Sequence, residues 1–492
     1  MENGMDTSVR STVAYKGNDR LLFGIIMGVI AFWLFAQTTL NIAPDMRRDL
    51  GMDASTMNVA VAITSLFSGI FIVVMGGLAD RVGRLKITRI GFCLSIAGSL
   101  LVAITPQGPL AAPVMLSGRA LQGLSAACIM SASLALVKAY WEGAERQRAI
   151  SMWSIGSWGG SGLCALFGGL MSQHFGWRSI FWVAIAVSAL GLWMIRGTPE
   201  SKAETRPDYR FDLFGVLTFM VTMVALQVLV TQGNKLGWTS TVSLGLLVVT
   251  VVFGWLFLRI ESKASNAFFD FSLFRNATYT GATISNFLVN GTAGTLIVSL
   301  QLLQIGGGMN AQQAGLLTLG YAIAIIAFIR VGEMLLRRFG PRKPMIWGCV
   351  ITGLAILLLS PAQLLLSHYK VFAIFGYTLF GIGLAFYATP STDAALSNLP
   401  AAQAGSGAGI YKMASSLGSA FGVAISAAIF TALSGDNGSM NWLEGLITFS
   451  GRQDNVAVRQ AAMVALGFNV LMVLIAIFSI MLTVPRGARS QT

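Results

Sequence analysis

The chain has 492 residues, of which 55% are hydrophobic and 11% are charged, and its formal net charge is +13. Soluble domains carry about a quarter charged residues, so this composition excludes a water-soluble globular protein. Most of the chain must lie in lipid. Because a helix of about 20 apolar residues crosses the hydrocarbon core, an all-α integral membrane protein is the expected fold class.

Apolar runs follow one another from residue 21 almost to the end of the chain. Residues 1–20 are polar and lack the apolar core and cleavage site of a signal peptide, so we predict an N-terminal tail. Fourteen runs are long enough to span the membrane: 21–43, 56–78, 87–105, 111–136, 150–172, 179–196, 212–232, 239–258, 279–304, 313–335, 344–366, 371–396, 405–431 and 461–484. An even number of spans places both termini on the same side.

Lysine and arginine fall unequally on the two sides that these spans define. With both termini inside, 23 of the 33 basic residues lie in inner segments and seven lie in outer loops. Cytoplasmic loops collect Lys and Arg, so we predict a multi-pass protein with both termini in the cytoplasm. The basic excess is then an orientation signal, and no binding of nucleic acid is expected.

The sequence offers no motif for a metal site or for catalysis. Four cysteines lie far apart inside apolar runs, without the paired spacing of zinc or redox sites: Cys93, Cys128, Cys164 and Cys349. We interpret them as packing residues and expect no metal. HExxH, GxSxG and the Walker lysine motif are absent from the sequence, which argues against an enzyme.

Two sequence echoes indicate an internal duplication. The loop after span 2 reads GGLADRVGRLK and the loop after span 10 reads RRFGPRKP, which sets Gly83 and Gly340 at an offset of 257; Gly123 and Gly381 share an offset of 258. Transporters are commonly built from such repeats, with the substrate path between them and alternating access to its two ends. The predicted divisions are a tail (1–20), a six-helix bundle (21–197), a cytoplasmic linker (198–211), two inserted helices (212–260), a cytoplasmic loop (261–278), a second six-helix bundle (279–484) and a cytoplasmic tail (485–492).

Three motifs resemble those of the major facilitator superfamily. Residues 76–86 resemble motif A, Arg119-x-x-Gln122-Gly123 resembles motif B, and the glycine-rich span 5 resembles the antiporter motif C. The residues of motifs A and C are Gly76, Asp80, Arg81, Gly83, Arg84, Gly156, Gly159, Gly160, Gly168 and Gly169. Fourteen spans favour the drug:H+ antiporter-2 branch. Within it, the segments WSIGSWGGSG, YTGATISNFL, YATPSTDAALSN and GIYKMASSLGSAFGVAIS resemble the NorB/NorC-type quinolone exporters of Gram-positive bacteria.

This resemblance implies a major facilitator fold with fourteen helices, in a bacterial cell membrane. It also implies export of amphipathic drugs, fluoroquinolones among them, driven by the proton gradient and without a cofactor. We expect a monomer whose partners are the drugs, protons and the lipid bilayer. A dedicated proton-coupled exporter or symporter of one metabolite is the alternative. A receptor that binds without transport is a third possibility, against which the doubled gate loops argue.

The sequence departs from the family pattern at three places. Cys164 and Ala165 stand where motif C has Gly-Pro, Gln37 stands in span 1 where many relatives carry a carboxylate, and Lys412 stands in span 13 where some relatives place acids. The absence of Gly-Pro bears on the bend expected in span 5. The absence of an acid in spans 1 and 13 predicts that the protein is not strongly selective for dicationic drugs. A zwitterion fits better in a pocket that holds Arg119 and amides.

Two charged residues of the motifs are candidates for mechanism. A charge in hydrocarbon is costly, which makes Arg119 a functional candidate, and the resemblance assigns it to the proton pathway; an arginine that reaches outward from a helix end is the alternative. The resemblance assigns Asp80 to a cytoplasmic gate, in which it pairs with an arginine and a helix terminus. A solvated or locally paired loop acid is the alternative for Asp80.

Three more charged residues are candidates for proton coupling. Asp393 and Lys412 lie at comparable depth on either side of the turn near Pro400, so we predict that they pair. In one hypothesis protonation of Asp393 releases Lys412; in the other the pair is static. Glu333 lies three residues after Arg330, which favours an intrahelical pair and leaves Glu333 as a reserve proton carrier.

Amides inside the spans are candidates for the substrate cavity. These residues are Gln37, Gln122, Asn286 and Asn290. Asn286 and Asn290 share one helical face, where hydrogen bonds between helices are the equal alternative. The long outer loop 432–460 is either a lid, a partner-binding segment or a connector.

Overall fold

The computed structural model describes residues 15–203, 212–264, 269–309, 311–434, 448–450 and 455–486. These residues form helices and turns, with no strand among them. The predicted tails, the linker 198–211, the loop 261–278 and the outer loop 432–460 lie partly outside the described residues. The three hypotheses for that outer loop therefore stay predictions.

Helical stretches lie at all fourteen predicted spans, and we number them α1–α14. Three contain a π-helical segment: α1 comprises Asp19–Ile30, Ala31–Ala36 and Thr39–Leu50; α5 comprises Gly143–Ser154, Ile155–Gly159 and Gly160–Phe175; α9 comprises Ala277–Gly291, Gly294–Gln301 and Leu302–Gly306. The others are α2 (Ala54–Val82), α3 (Arg84–Ala103), α4 (Ala111–Tyr140), α6 (Arg178–Met194), α7 (Leu213–Leu236), α8 (Thr241–Glu261), α10 (Ala311–Leu317 and Leu319–Phe339), α11 (Arg342–Leu359), α12 (Leu366–Ser397), α13 (Ala404–Leu433) and α14 (Val456–Thr483).

Twelve of these helices are individually long and apolar enough to cross a membrane. The remaining two, α5 and α6, bend back on each other by 115° at Gly176, where φ is +78°. The predicted fourteen spans are compatible with this arrangement. Several helices extend beyond their predicted bounds because an apolar run marks only the part in hydrocarbon, whereas polar residues such as Asp53, which caps α2, continue the helix into the interface.

The two halves repeat one packing pattern. In the first half α2 and α3 pack on α4, and α6 packs on α3 and α1; in the second half α10 and α11 pack on α12, and α14 packs on α11 and α9. The two glycines related by the offset of 258 lie at equivalent helix contacts. A Cβ at Gly123 of α4 would lie 2.4 Å from the carbonyl oxygen of Thr64 on α2, and a Cβ at Gly381 of α12 would lie 2.5 Å from that of Tyr321 on α10. The fold is therefore two six-helix bundles with α7 and α8 inserted between them.

The halves meet along two contacts that the repeat relates to each other. On one side α2 packs against α13, and on the other α5 packs against α10. The inserted helix α7 packs against both α2 and α13, so it stands beside the first contact. The inserted helix α7 can therefore contribute residues to a site between the halves.

Candidate functional site

A cluster of five residues joins the two halves at one face of the protein. We call this face, which contains Asp19 and Gly83, the inner face. The opposite face, which contains Leu50 and Gly176, is the outer face. Both carboxylate oxygens of Asp80 accept hydrogen bonds from the amide of Gly405, at 2.8 and 2.9 Å, and one also accepts from Ser406, at 2.9 Å. Arg84 donates to Asp80 at 2.9 Å and to the carbonyl oxygen of Ala401 at 2.5 Å.

We call Asp80, Arg84, Ala401, Gly405 and Ser406 the inner gate. Asp80 is 4% exposed, and its charge is stabilised by the backbone amides of Gly405 and Ser406 at the start of α13 and by the guanidinium of Arg84. The carboxylate thus joins α2 of one half to α13 of the other. A locally paired loop acid would make no such contact across the halves.

Glycines permit the close approach that the inner gate needs. A Cβ at Gly76 would lie 2.3 Å from the carbonyl oxygen of Gly405, and a Cβ at Gly405 would lie 2.3 Å from that of Gly76. Gly83 has φ +129°, and a Cβ there would collide with Glu200, whose carboxylate accepts from the first amides of α3. Arg81 lies in the same turn and is partly buried.

A second tie joins the halves on the other side of the inner face, and it corrects one prediction. Asp393 pairs with Arg146 of α5 at 3.2 Å, and Arg146 also donates to Ser397 at 2.7 Å. Lys138 donates to the carbonyl oxygen of Ser397 at 3.3 Å. The predicted pair of Asp393 with Lys412 is therefore wrong in this structure, because an arginine from the opposite half reaches the carboxylate at the inner face.

Glu333 belongs to the same side of the inner face. Its carboxylate pairs with Arg330 and with Arg337, which confirms the predicted intrahelical pair with Arg330. Arg337 also donates to the carbonyl oxygen of Ala144 at the start of α5, at 2.9 Å. Glu333 is 2% exposed, so it positions a cross-half donor from inside the protein.

Arg119 is fully buried at the junction of α1, α2 and α4. Its guanidinium donates to the carbonyl oxygens of Ala36 at 2.8 Å and Ala60 at 3.0 Å, and to the side-chain oxygen of Gln122 at 2.6 Å. The π-helical turn Ala31–Ala36 and the break after it expose the Ala36 carbonyl. Nη2 has no acceptor among the described residues, and the alternative of an outward-reaching arginine is excluded by the burial.

A cavity of about 1140 Å³ lies between the halves above the inner gate. Its walls come from α1, α2, α4, α5 and α7 on one side and α9, α10, α12 and α13 on the other. Its lining extends to Val59 and Ala427 near the outer face. The large aromatic side chains in its walls are Phe32, Trp33, Phe67, Trp158, Tyr321 and Phe380. The halves are thus closed at the inner face around a central cavity that extends outward.

The four predicted cavity amides divide into two groups. Gln37 and Asn290 line the central cavity. Gln122 instead bonds Arg119 and Ser99, and Asn286 donates to the Tyr411 carbonyl at 2.9 Å, so these two are buried contacts between helices.

The inserted helix α7 supplies cavity residues that the sequence reasoning did not find. Gln227 and Gln232 both line the central cavity. Gln227 is 8% exposed, and its side-chain oxygen lies 2.9 Å from the position of a Cβ on Gly69 of α2. Two amides inside the otherwise apolar run 212–232 were the available signal, since amides in hydrocarbon are costly unless they contact protein or a cavity.

Lys412 lines the central cavity at its inner end. It lies eight residues into α13 from Ala404, about 12 Å along the helix axis. Its Nζ lies 4.7 Å from the centroid of the Trp153 ring of α5. The residue predicted as half of a proton-coupling pair is therefore found in the cavity wall.

The glycines of α5 face two different helices. Cβ atoms at Gly156, Gly160 and Gly168 would lie within 3.3 Å of side chains of α1, and one at Gly159 would lie 2.8 Å from Ile326 of α10. Gly169 has nothing within 4 Å. In place of the Gly-Pro bend that Cys164 and Ala165 lack, α5 carries a π-helical turn at Ile155–Gly159.

The described part of the chain contains no cluster of three His, Cys, Asp or Glu side chains that could hold a metal ion. Two repeated halves that close at one face around a central cavity are the architecture of a membrane transporter.

Comparison with known proteins agrees with this class. Residues 21–423 and 282–491 match the family model of the Major Facilitator Superfamily. The Quinolone resistance protein NorB of Staphylococcus aureus strain MRSA252 is 46% identical over 448 residues, which cover 89% of this chain and 96% of that protein. The NorB of strain COL is 44% identical over 481 residues, which cover 98% of this chain and 99% of that protein.

Solved structures share the fold at low sequence identity. The proton:xylose symporter XylE has a TM-score of 0.63 and 14% identity and covers 95% of each chain. The human organic anion transporter MFSD10 has a TM-score of 0.58 and 15% identity and covers 94% of this chain and 98% of its own. The protein belongs to the Major Facilitator Superfamily, and it is a multi-pass transporter of the bacterial plasma membrane, not an enzyme.

Proposed function

We propose that the protein is a proton-coupled multidrug efflux antiporter that exports amphipathic drugs, fluoroquinolones among them, by alternating access. The observation that carries this proposal is the inner gate, a cross-half clamp that closes directly beneath a drug-sized cavity. A channel or a receptor needs no such clamp. The similarity to proteins named for quinolone resistance supports the substrate class.

The central cavity suits large, flat, amphipathic molecules. Its volume of about 1140 Å³ slightly exceeds the 300–1,000 Å³ of common drug pockets, which leaves room for several binding poses. Aromatic rings offer stacking surfaces, and the amides of Gln37, Gln227 and Asn290 offer donors and acceptors. A dedicated site for one metabolite would hold a denser set of convergent polar groups.

In the proposed cycle the inner face is the cytoplasmic face, both termini are cytoplasmic, and one chain transports alone. A drug enters when the inner gate opens, and it leaves through the outer side of the cavity in the arrangement described above. Three acids stand in contacts that hold the halves together at the inner face: Asp80, Glu333 and Asp393. Protonation of any of them removes a charge-assisted hydrogen bond and weakens that closure.

Arg119 has a different place in this proposal. Its charge is fixed among carbonyl and amide oxygens, and Nη2 keeps a donor without an acceptor among the described residues. We place it on the proton pathway as a donor that orients water beneath the break in α1, as its motif implies, with no side-chain acid bound to it.

Transport into sealed proteoliposomes tests the proposal. Purified protein is reconstituted, a pH difference is imposed, and norfloxacin movement is followed by fluorescence, with protein-free liposomes and an added protonophore as controls. We expect norfloxacin to move against the proton flux and the protonophore to abolish the movement. Movement in the same direction as protons supports a symporter instead, and absence of any drug movement refutes the proposal.

A further inference from the structure

Lys412 is a buried charge that the inner gate does not use. It belongs to α13 of the second half, it is 7% exposed, and its ammonium faces the Trp153 ring of the first half at 4.7 Å. No ion pair or hydrogen bond to Lys412 occurs within the described residues. A lysine ammonium has three donors, and an aromatic face satisfies its charge without giving it a lone-pair acceptor.

Trp153 is a fixed support for this ammonium. The indole is less than 2% exposed, and its Nε1 donates to the hydroxyl of Ser133 on α4 at 3.0 Å. The ring therefore holds the end of the Lys412 side chain at the inner end of the central cavity. A ligand can approach from the cavity side without displacing the support.

The electrostatic character of the cavity follows from its lining. Among the described residues that line it, Lys412 is the one charged side chain, and no Asp or Glu is present. A single uncompensated positive charge at the closed end of an apolar-walled cavity attracts an anionic group. Ser416 and Ser419 of α13 and Asn290 of α9 line the same cavity and supply neutral hydroxyl and amide donors.

We propose that Lys412 binds the carboxylate of the substrate, so that the preferred substrates are aromatic monocarboxylates, zwitterions included. The carboxylate lies against the ammonium at the inner end of the cavity, and the planar ring system lies outward of it among Trp33, Trp158 and Phe380. This inference rests on the proposed export of amphipathic drugs. It identifies Lys412 as the group that selects among these drugs. It predicts that permanent cations without a carboxylate are poorer substrates than their anionic or zwitterionic counterparts.

The test compares three probes and three variants in the same proteoliposomes. The probes are norfloxacin, its methyl ester, which keeps the rings and the amine but lacks the carboxylate, and ethidium, a permanent cation. The variants are Lys412→Met, Lys412→Arg and the matched control Lys263→Met, which removes an exposed lysine after α8. Initial rates give KM and kcat for each probe.

A charge-assisted hydrogen bond in a buried site predicts a preference of about 10- to 100-fold for norfloxacin over its ester in the unsubstituted protein, expressed mainly in KM. Lys412→Met should abolish this preference while transport of the ester and of ethidium stays within about threefold. Lys412→Arg should keep most of the preference, and Lys263→Met should change nothing.

Two results would overturn the inference: equal treatment of norfloxacin and its ester by the unsubstituted protein, or an equal loss of all three probes in Lys412→Met. The second result would assign Lys412 a purely structural role against Trp153. If the unsubstituted protein transports none of the probes, the proposed function fails, and equilibrium binding of norfloxacin and its ester to the purified protein then decides the inference alone. Equal affinities in that measurement would refute it.

Discussion

Among the described residues, each half buries a cation in its membrane-spanning helices without an acid paired to it, Arg119 in the first half and Lys412 in the second, and these two cations are satisfied in different ways. Arg119 on α4 is 0% exposed and donates to two carbonyl oxygens and one amide oxygen. Lys412 on α13 is 7% exposed, its ammonium faces the ring of Trp153, and it lines the central cavity. Placing either charge within a membrane costs free energy, but only the charge of Lys412 is available to a ligand.

This difference teaches that burial alone does not mark a binding residue; the set of acceptors does. The planar guanidinium of Arg119 donates to fixed acceptors on three helices, so its charge is not available to a substrate. The ammonium of Lys412 is a compact charge on a flexible stem, held by Trp153 from one side. Removal of Arg119 should therefore affect every substrate alike, whereas removal of Lys412 should affect only those with a carboxylate.

The largest effect is expected for Arg119→Met. The substitution removes the Arg119 donor from the buried Ala36 carbonyl and from the side-chain oxygen of Gln122, at about 1–3 kcal/mol for each unsatisfied group, whereas the Ala60 carbonyl keeps its backbone hydrogen bond within α2. We expect transport of norfloxacin, its ester and ethidium to fall together by about 100-fold, with a lower melting temperature of the purified protein. Arg119→Lys, which keeps the charge but not the fork, is the control and should recover part of the stability. A loss confined to one probe would break the comparison.

The next largest effect is expected for substitutions that prevent closure of the inner gate, which lies beneath Lys412. Gly76→Ala or Gly405→Ala would place a Cβ 2.3 Å from a backbone oxygen of the opposite half, so neither variant can close the inner gate. We expect about a tenfold loss of transport for all probes, because a cavity open at the inner face cannot complete the cycle. Gly169→Ala is the matched control, since a Cβ there meets nothing within 4 Å.

Labelling from the inner side measures the same closure directly. Ser131 is fully buried, and its Cβ lies 3.3 Å from the position of a Cβ on Gly76. In a chain without its native cysteines, Ser131→Cys should react with a membrane-impermeant maleimide from the inner side only when Gly76→Ala is also present. Equal labelling with and without Gly76→Ala would contradict the assignment of the inner gate.

Apolar runs predicted the positions of the helices. The inner gate was predicted from the resemblance of residues 76–86 to motif A, which assigns Asp80 to a gate, and from the glycines around it. The internal repeat could also be predicted, because Gly123 and Gly381 lie in similar short segments, and both prove to be sites of close helix packing. Each of these signals lies within short segments and does not depend on how the two halves dock.

Contacts between the halves could not be predicted in the same way. Asp393 and Arg146 are 247 residues apart, and their pairing depends on how the bundles are docked. The sequence reasoning sought the partner of Asp393 on the adjacent helix and chose Lys412. The rotation of α13 about its axis decides that Lys412 faces the cavity, and neither apolar periodicity nor spacing sets that angle in a helix that is buried on most sides. The same limit hid Gln227 of the inserted helix.

The smallest effect is expected for the pair of Asp393 with Arg146, and it probes whether Lys412 truly lacks an acidic partner. The two side chains are 8% and 16% exposed. Asparagine keeps an oxygen acceptor for Arg146, which also keeps its hydrogen bond to Ser397, so the substitution loses only the difference between a charge-assisted and a neutral hydrogen bond, about 1 kcal/mol or about a fivefold change in an equilibrium. Asp393→Asn should thus lower transport of every probe by less than about fivefold and leave the preference for norfloxacin over its ester unchanged. The exchange Arg146→Asp with Asp393→Arg should restore the rate, because it reverses the pair without moving it. If Asp393→Asn instead altered the preference for the carboxylate, Asp393 would be acting on Lys412 during transport. Lys412 would then have a protein partner, as Arg119 has, and the difference between these two cations would not hold.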